Sequence, residues 1–449
     1  MTGGKAVPAL EPTRSNVFGL LLAPIRTDFA RKVCQTVSAR LVAVVVGVIA
    51  SVLIARLLGV SGRGVYAVAG AVSALGIQLA NLGLHAANTY YVARDRAKLP
   101  LLIGNSLAVS AIAGLVLGVL AWVVAEVQPD LLPVRGSLLA LCVASIPLGL
   151  ANLLLKSLLL GVHDVTAYNK VELANTAVVA GAVVILFLVG VARVEAVFAA
   201  IPVAAALCTV LSLRRLASAG GGPVAVDLSV VGPMLGYGVK GYGAALMSFL
   251  VLRIDFLMVK QMLGEAEAGL YSVAVSMAEL IYILPVIVGT ILFPKLVATA
   301  CLCERWQQTR RAAMYVLLVS SVVGLLAITV VKPVVRLLYG VDFLPAVEPF
   351  IWLMPAILLL SVTTILNNYL AAAGMPWIVV AAPAAGTALN VLLNWQLLPQ
   401  FGIVGASIAS GAAYGLILGI LGIYACRGAG RLNVACNLAN SPTQSSEGQ

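Results

Sequence analysis

Long apolar runs constrain this chain more than any other feature of its sequence. The run LVAVVVGVIASVLIARLLG at 41–59 is one of many long enough to cross the roughly 30 Å hydrocarbon core of a bilayer as a helix. The 449 residues are 61% hydrophobic and only 10% charged, whereas a soluble domain is about half apolar and about a quarter charged. Because backbone polar groups must be satisfied inside lipid, these runs predict an all-α polytopic membrane protein.

Twelve membrane-spanning helices account for the runs, and the longest polar interruption lies at the midpoint of the chain. We expect spans at 36–58, 65–92, 101–126, 137–160, 168–192, 194–216, 234–259, 266–294, 310–331, 349–372, 377–398 and 403–426. The interruption, LRRLASAGGGPVAVDLSVV at 213–231, has the composition of a linker. The predicted parts are a basic cytoplasmic tail at 1–35, an N-lobe of six spans at 36–216, a cytoplasmic linker at 217–231, a C-lobe of six spans at 232–427 and a polar tail at 428–449.

The distribution of Lys and Arg orients these spans, because cytoplasmic loops carry an excess of both residues. With the N-terminus inside, twenty of the twenty-eight Lys and Arg residues fall on the inner side and seven on the outer side. The first 35 residues are basic and contain no convincing cleavable signal sequence. We therefore predict a multi-pass membrane protein with both termini in the cytoplasm.

A short motif occurs twice, as LLGVSGRGVY at 57–66 and as MLGEAEAGLY at 262–271. A shift of 205 residues aligns Gly59 with Gly264, Gly64 with Gly269 and Tyr66 with Tyr271. Each copy is expected in the turn between the first two spans of its half, where glycine permits a tight reversal and tyrosine suits the membrane interface. Since six spans is an even number, both halves point the same way and are predicted to form parallel, pseudo-symmetric lobes around a central cavity. Chance recurrence of a tight turn is the alternative.

Polar side chains form a stripe on the second helix of each half. The stripe on span 2 consists of Gln78, Asn81, His85 and Asn88. Glu279 lies on a polar face of span 8 that the same shift brings to the equivalent place. Polar groups are costly against lipid, so both faces are predicted to contact protein or water. Two interpretations remain open, namely an aqueous cavity or hydrogen bonds between helices in a dry bundle.

Span 7 carries charges within the membrane, in the sequence GYGVKGYGAALMSFLVLRIDFLMVK. Ser248 and Asp255 share a small, polar face that could line a cavity, together with Lys240 nearer the inner end. Arg253 points about 200° away from Asp255 around the helix. Its long side chain either lines the cavity or snorkels outward to the membrane surface.

Three acids within the spans are candidates for binding a coupling ion, H⁺ or Na⁺: Asp255, Glu279 and Glu172. Burial would raise the pKa of such a carboxyl group and suit it to proton exchange. Asp255 and Glu279 serve equally well as structural partners of Arg253 or Lys240. Asn390 on span 11 belongs to a weaker polar stripe and is added to the candidate cavity lining.

The sequence lacks the patterns expected of a cofactor, a metal site or an enzyme. Its seven cysteines include no CxxC pair, and no glycine-rich phosphate loop for ATP appears. An oligosaccharide polymerase or O-acyltransferase needs a catalytic base, but the chain has two histidines and short outer loops. A structural scaffold would not explain the paired polar faces. We expect a protein without enzymatic activity, cofactor, metal or nucleic-acid partner, driven by an ion gradient or membrane potential.

Two segments resemble a known family. ARLLGVSGRGVY…LANLGLHAA at 55–87 and RIDFLMVKQMLGEAEAGLYSVA at 253–274 are similar to the Wzx-like polysaccharide and O-antigen (lipopolysaccharide) export branch of the multidrug/oligosaccharidyl-lipid/polysaccharide (MOP) exporter superfamily. The motifs cover about fifty residues, and the twelve-span layout covers nearly the whole chain.

The resemblance implies an alternating-access flippase that moves an undecaprenyl-diphosphate-linked oligosaccharide to the outer leaflet. The implied partners are this lipid-linked substrate, membrane lipids and a polysaccharide polymerase or ligase. The implied cationic cavity has Lys240, Arg253, Arg56 and Arg40 as candidates, because guanidinium and ammonium groups attract diphosphate. The acids Asp255, Glu279 and Glu172 fit a strongly cationic lumen less well. A MATE-like drug/cation antiporter and a lipid II flippase of the same fold remain alternatives.

Overall fold

The computed structural model describes residues 28–127, 134–220 and 224–439. For residues 28–34, 220, 237, 240 and 428–439 the description covers the backbone alone. The predicted basic tail at 1–35 therefore lies largely outside the described residues, and so does the side chain of Lys240.

Eleven α-helices make up the described chain, which contains no β-strand. They are α1 Asp28–Asn81, α2 Leu84–Arg94, α3 Leu99–Val127, α4 Gly136–Gly161, α5 Val165–Val189, α6 Val194–Gly220, α7 Val231–Leu263, α8 Glu265–Ala298, α9 Leu302–Leu338, α10 Val347–Ala372 and α11 Ile378–Ala439. Short 3₁₀ turns at Arg96–Lys98, Leu228–Val230 and Val341–Ala346 precede α3, α7 and α10.

Glycine breaks divide the two longest helices. Ten helical segments of the described chain are long and apolar enough to cross a membrane. Gly59 in α1 has φ 67° and ψ −173°, and Gly402 in α11 has φ 56° and ψ −144°. These values are far from helical, and a positive φ carries no Cβ penalty in glycine. Each long helix thus supplies two spans, which agrees with twelve spans and confirms the prediction of an all-α polytopic membrane protein.

Span 2 differs from the prediction of one continuous helix over 65–92. The backbone breaks at Leu82, with φ 46°, and at Gly83, with φ 81°. The break brings Gly83 against α7, where an added Cβ would lie 2.8 Å from the carbonyl oxygen of Gly238. The hydroxyl of Tyr242 donates to the carbonyl of Leu79 at 3.2 Å, which supplies a partner to a carbonyl next to the break. The continuous-helix prediction was wrong because this contact with α7 has no local sequence signal.

Successive spans alternate in direction, so the bundle has two ends. We call the end that holds Gly59 and Gly264 the turn end, and the end that holds Asp28 and Arg427 the tail end. Helix α1 packs on α5 and α8, α7 packs on α11, and α8 packs on α10. The first and second halves of the chain therefore meet mainly through α1 and α8, and their division into two lobes stays a prediction.

The connection between the halves is fastened to α3. Asn105 donates from Nδ2 to the carbonyl of Asp227 and accepts from its N–H, both at 2.8 Å. A Cβ on Gly104 would lie 2.0 Å from the carbonyl oxygen of Ala225, so the segment lies directly on α3. At the other end of the chain, α11 continues to Ala439, so the predicted polar tail begins as helix.

Candidate functional site

The two copies of the repeated motif contact each other at the turn end. A Cβ on Gly64 would lie 1.9 Å from the carbonyl oxygen of Glu265, and one on Gly269 would lie 2.0 Å from that of Val60. The shift of 205 exchanges these two contacts, and reciprocity of this kind is what a two-fold axis generates. We call the contact of residues 60–64 with residues 265–269 the turn-end junction.

The glycines of the motif serve two different purposes. Gly59 and Gly264 adopt nearly the same backbone conformation, with φ 67° and 98° and ψ −173° and −174°. This conformation is the tight reversal expected from the sequence. Gly64 and Gly269 instead permit backbone-to-backbone contact, which the sequence analysis missed although the shared shift was a signal for it. Tyr271 is fully buried within the protein.

Arg63 lies at the turn-end junction and is only 6% exposed. Its guanidinium donates to the hydroxyls of Ser272 at 3.2 Å, Ser51 at 3.0 Å and Ser276 at 3.4 Å. It also stands 5.8 Å from the ring centre of Tyr66. Among the described residues no carboxylate pairs with Arg63. From the sequence alone, Arg63 is only one of the seven cations predicted on the outer side.

The face of α8 that meets Arg63 continues past the junction and becomes exposed. Ser272 and Ser276 share this face with Glu279, Ile283 and Thr290, which follow at intervals of three, four and seven residues. Ser272 is buried, whereas Glu279 and Ile283 are partly exposed and Thr290 is exposed. The two halves of the chain are thus in contact at the turn end and diverge along α8 toward the tail end.

An ion pair lies on this diverging face. Arg253 of α7 and Glu279 of α8 approach to 3.0 Å, and their side chains are 36% and 44% exposed. Glu279 stands fourteen residues into α8, about 21 Å from its start at 1.5 Å per residue. The pair therefore lies well inside the apolar stretches of α7 and α8 that are long enough to span a membrane, and both of its side chains are partly exposed. Arg253 pairs with Glu279 rather than snorkelling to the membrane surface.

A second arginine belongs to the same region. Tyr282, one turn beyond Glu279, shares a hydrogen bond of 2.7 Å with Thr364 of α10. Its hydroxyl lies within electrostatic range of Glu279 and of Arg40, which comes from the first half of the chain and is exposed. We call the ion pair of Arg253 with Glu279, together with Arg40 within electrostatic range of the neighbouring Tyr282, the charged cluster. Arg56 is not part of it, since its guanidinium donates to the carbonyls of Leu337 and Leu338 at the end of α9.

Asp255 makes no hydrogen bond to this cluster, although it lies within electrostatic range of Arg253, and it is only 2% exposed. Its carboxylate accepts from the hydroxyl of Tyr271 at 2.6 Å and from that of Ser410 at 3.3 Å. Arg253 lies on the opposite face of α7, as the helical spacing predicted. The small, polar face of α7 therefore packs into the second half of the chain, and Ser248 on that face is half-buried.

Asparagines of α11 extend the hydrogen-bond network around Asp255. Asn390 donates to Ser410 at 3.4 Å, and Asn394 donates to Asn390 at 2.8 Å. All three of these side chains are fully buried. The Oδ1 atom of Asn394 has no hydrogen-bond partner among the described residues. The structure thus places Asn390 in a buried network with Asp255 and away from the exposed face of α8.

Glu172 lies in the first half of the chain and is paired. Its carboxylate and the ammonium of Lys156 on α4 approach to 2.5 Å, with side-chain exposures of 48% and 15%. The ammonium also stands 5.8 Å from the ring centre of Tyr168. This arrangement ties α4 to α5 and places Glu172 apart from Asp255 and Glu279.

The polar residues of span 2 do not form one stripe, because the helix breaks between them. Asn81 is buried and contacts the Nδ1 atom of His85 through Nδ2 at 2.8 Å. Asn88 follows the break, is buried, and donates to Ser106 at 2.9 Å and to the carbonyl of Leu154 at 3.4 Å. Gln78 and His85 remain partly exposed. The break therefore turns Asn88 into the first half and leaves Gln78 and His85 near the contact with α7.

The tail end also carries a charged loop and two cavities. Burial alone would raise the pKa of Asp164, but the N–H of Ala167 and the guanidinium of Arg215 outweigh it and hold that pKa below its usual value. Asp164 caps α5, and His163 before it adopts φ 65°, so His163–Asp164 forms a turn. A cavity of about 270 Å³ is lined by Cys303, Trp306, Gln307, Arg310 and Arg311, and one of about 630 Å³ by Ala86, Thr89, Tyr90, Ala93 and Arg94. The part of the chain searched contains no cluster of three metal-binding His, Cys, Asp or Glu residues.

Solved structures with the same architecture are membrane transporters. The chain superimposes on "Lipid II flippase MurJ, inward closed conformation" with a TM-score of 0.68 at 14% identity over 86% of both chains. An inward-facing multidrug resistance MATE family transporter of the MOP superfamily gives 0.60 at 13% identity, over 89% of this chain and 95% of that one. An outward-facing transporter of the same description gives 0.58 at 13% identity, over 91% and 98%. These similarities show that the chain shares the fold of these membrane transporters.

A family model described as "Polysaccharide biosynthesis protein" matches residues 52–348, which is more than half of the chain. The chain belongs to this family. A sequence comparison with curated proteins gave no match.

Proposed function

We propose that this protein flips undecaprenyl-diphosphate-linked glycan repeat units across the bacterial cytoplasmic membrane for polysaccharide biosynthesis. The observation that carries the proposal is the partly exposed ion pair of Arg253 with Glu279, far from the helix ends, on the face of α8 whose turn-end part meets the first half. Charges at this depth are costly against lipid, so an exposed pair there faces a water-filled path. The family match and the flippase and transporter neighbours support the same function.

The charged cluster suits the head of a diphosphate lipid. Guanidinium groups bind phosphate oxygens through paired, charge-assisted hydrogen bonds. In the proposed mechanism the diphosphate competes with Glu279 for Arg253 and is also attracted by Arg40. Hydroxyl and amide groups near the path, such as Thr290 and Gln78, supply hydrogen bonds for sugars. The prenyl chain remains in the surrounding lipid.

The arrangement in the membrane follows the charge distribution. Lys and Arg are concentrated at the tail end, which in this proposal faces the cytoplasm. The two six-helix lobes, at 36–216 and 232–427, alternate between the two sides of the membrane by parting at one end and closing at the other. A polysaccharide polymerase or ligase would receive the flipped product at the turn end.

Coupling to an ion gradient is proposed for Asp255. Its network joins the carboxylate on α7 to hydroxyl and amide groups of α8 and α11 within the second half, namely those of Tyr271, Ser410, Asn390 and Asn394. Hard cations prefer oxygen ligands, and a buried carboxylate also exchanges a proton readily. Binding of H⁺ or Na⁺ at Asp255 would neutralise its negative charge, which lies on the face of α7 opposite Arg253.

The binding step is tested by Arg253→Gln. Loss of one charge-assisted hydrogen bond of about 1.5–3 kcal/mol implies binding of undecaprenyl-diphosphate glycan that is weaker by about 10- to 100-fold. Affinity is measured for purified protein in nanodiscs, with a neutral glycolipid of the same chain length as the reference ligand. Arg193→Gln is the matched control, because it removes the same charge from an exposed position in the loop between α5 and α6. An equal loss of affinity for the neutral glycolipid would contradict a role for the charge.

The coupling step is tested by Asp255→Asn, which removes the charge and keeps the shape. We expect binding of the diphosphate lipid to remain, while flipping in proteoliposomes no longer responds to an imposed H⁺ or Na⁺ gradient. Gradient-dependent flipping at the original rate in this variant would exclude Asp255 as the coupling site. Full-rate net accumulation by the unaltered protein without any gradient would exclude coupling altogether.

The flippase and antiporter alternatives are separated by the same assays. A lipid II flippase would transport a wall-precursor lipid with the same diphosphate but a different glycan. A drug/cation antiporter would bind cationic drugs and ignore both diphosphate lipids. The presence of two arginines in the charged cluster favours an anionic head over a cationic drug.

A further inference from the structure

Arg63 differs from those cations of the described bundle that form ion pairs. Arg253, Lys156 and Arg215 each face a carboxylate, whereas Arg63 is acted on electrostatically by Tyr66 and Tyr339 and by no described acid. It is also the most deeply buried of them, at 6% exposure. Burying a charge without a counter-ion is costly, so this position is not explained by stability of the closed bundle.

The two α8 hydroxyls around Arg63 are arranged as acceptors. Ser272 donates its own proton to the carbonyl of Gly269 at 2.7 Å, and Ser276 donates to that of Ser272 at 2.7 Å. Their oxygen lone pairs therefore face the guanidinium. These serines replace the water that an exposed guanidinium would bind, without neutralising its charge.

Two of these partners lie across the turn-end junction. Ser272 and Ser276 belong to α8, whereas Ser51 belongs to α1 with Arg63 itself. Arg63 is adjacent to Gly64, whose backbone contact with Glu265 holds the junction closed. Parting of the junction would therefore strip Arg63 of both α8 partners and leave its N–H donors facing the opening.

We propose that Arg63 is an anion-binding residue, covered while the turn-end junction is closed and available to the diphosphate of the substrate when the junction opens. This inference rests on the proposed function. It adds a second phosphate-binding position at the turn end, in addition to the one proposed at Arg253 and Arg40. A planar guanidinium can donate two parallel hydrogen bonds to two oxygens of one phosphate. Hydration and anion binding also favour the open junction, because the closed one leaves the charge without a counter-ion.

The experiment measures opening of the junction directly. Ser61 and Ala266 are exposed, lie on opposite sides of the junction and are related by the shift of 205. Spin labels on Ser61→Cys and Ala266→Cys, with the native cysteines replaced by serine, report the distance across the junction in nanodiscs. Inorganic pyrophosphate is the probe, with glucuronate as a carboxylate probe at equal concentration.

We expect pyrophosphate to move a fraction of the molecules to a longer label distance and glucuronate to move fewer. In Arg63→Gln this response should be lost, and the unliganded molecules should be more fully closed. Arg193→Gln should keep the full response, since its charge lies outside the junction. An unchanged response in Arg63→Gln, a loss in Arg193→Gln, or an equal response to glucuronate would overturn the proposal.

A second variant covers the case in which Arg63→Gln does not fold. Ser276→Ala removes one acceptor across the junction, so the open fraction without pyrophosphate should rise. An unchanged open fraction would overturn the proposal. Failure of the unaltered protein to bind undecaprenyl-diphosphate glycan would instead contradict the proposed function, and this outcome is scored separately from the label distances.

Discussion

At the scale of single residues, the same amino acid serves unlike purposes within one short motif. Gly59 and Gly264 supply a positive φ, whereas Gly64 and Gly269 supply the absence of a side chain. The first property could be predicted, because it depends on the local chain. The second depends on what the other half of the protein brings to the site.

We predict that Gly64→Ala destabilises the protein, because its Cβ would meet the carbonyl oxygen of Glu265 at 1.9 Å. Overpacking against backbone costs about 1–3 kcal/mol. Gly47→Ala is the control, since it also lies within α1 but has no heavy atom within 4 Å of an added Cβ. Thermal unfolding in detergent should show a lower Tm for Gly64→Ala and an equal or higher Tm for Gly47→Ala. Equal Tm values would mean that the junction does not contribute to stability.

At the scale of helices, the break in span 2 shows where sequence periodicity reaches its limit. The spacing of Gln78, Asn81, His85 and Asn88 is helical, but the chain leaves the helix at 82–83 and sends Asn88 to a different neighbour. No local pattern marks the break strongly, because single glycines also occur within helices that continue. The break depends on the close approach of Gly238 on α7, a contact between distant parts of the chain.

We predict that Gly83→Ala lowers the Tm by more than backbone strain accounts for, because it also disturbs the contact of span 2 with α7. Gly190 provides the matched control, because its φ of 77° resembles the 81° of Gly83 while an added Cβ there meets nothing within 4 Å. Both substitutions carry the strain of a positive φ, roughly 1 kcal/mol for a residue other than glycine. Only Gly83→Ala adds the clash with Gly238, so its Tm should fall further than that of Gly190→Ala. Equal shifts would indicate that the contact with α7 is unimportant.

The candidate site was predicted in part. The sequence marked Arg253, Glu279 and Asp255 as charges within spans, and the separation of Arg253 from Asp255 around α7 followed from helical geometry. It did not reveal which face of α7 points to the region between the halves, since both faces carry polar groups. The buried network of Asp255 with Tyr271 and Ser410 joins three separate helices and could not be inferred from spacing along one of them.

At the scale of the whole molecule, the two halves touch at the turn end and separate toward the tail end. This separation leaves the charged cluster exposed. The turn-end junction is closed by reciprocal glycine contacts, and the α8 face beyond it opens toward the tail end. A path of this kind exposes polar groups to water at a depth where the outer surface of the bundle faces lipid. In this account, exposed side chains between the halves face water, whereas those on the outer surface of the bundle face lipid.

The most direct test of this account compares two cysteines at similar depth in proteoliposomes, using a charged, water-soluble thiosulfonate reagent. Ile283→Cys lies on the α8 face between the halves and is only partly exposed, whereas Leu318→Cys lies on α9 and replaces a side chain that is 63% exposed. The native cysteines are replaced by serine in both variants. The account predicts that Ile283→Cys reacts with the reagent and Leu318→Cys does not, because only the former faces water. Equal reaction of both cysteines, reaction of Leu318→Cys alone, or reaction of neither would contradict a water-filled path between the halves.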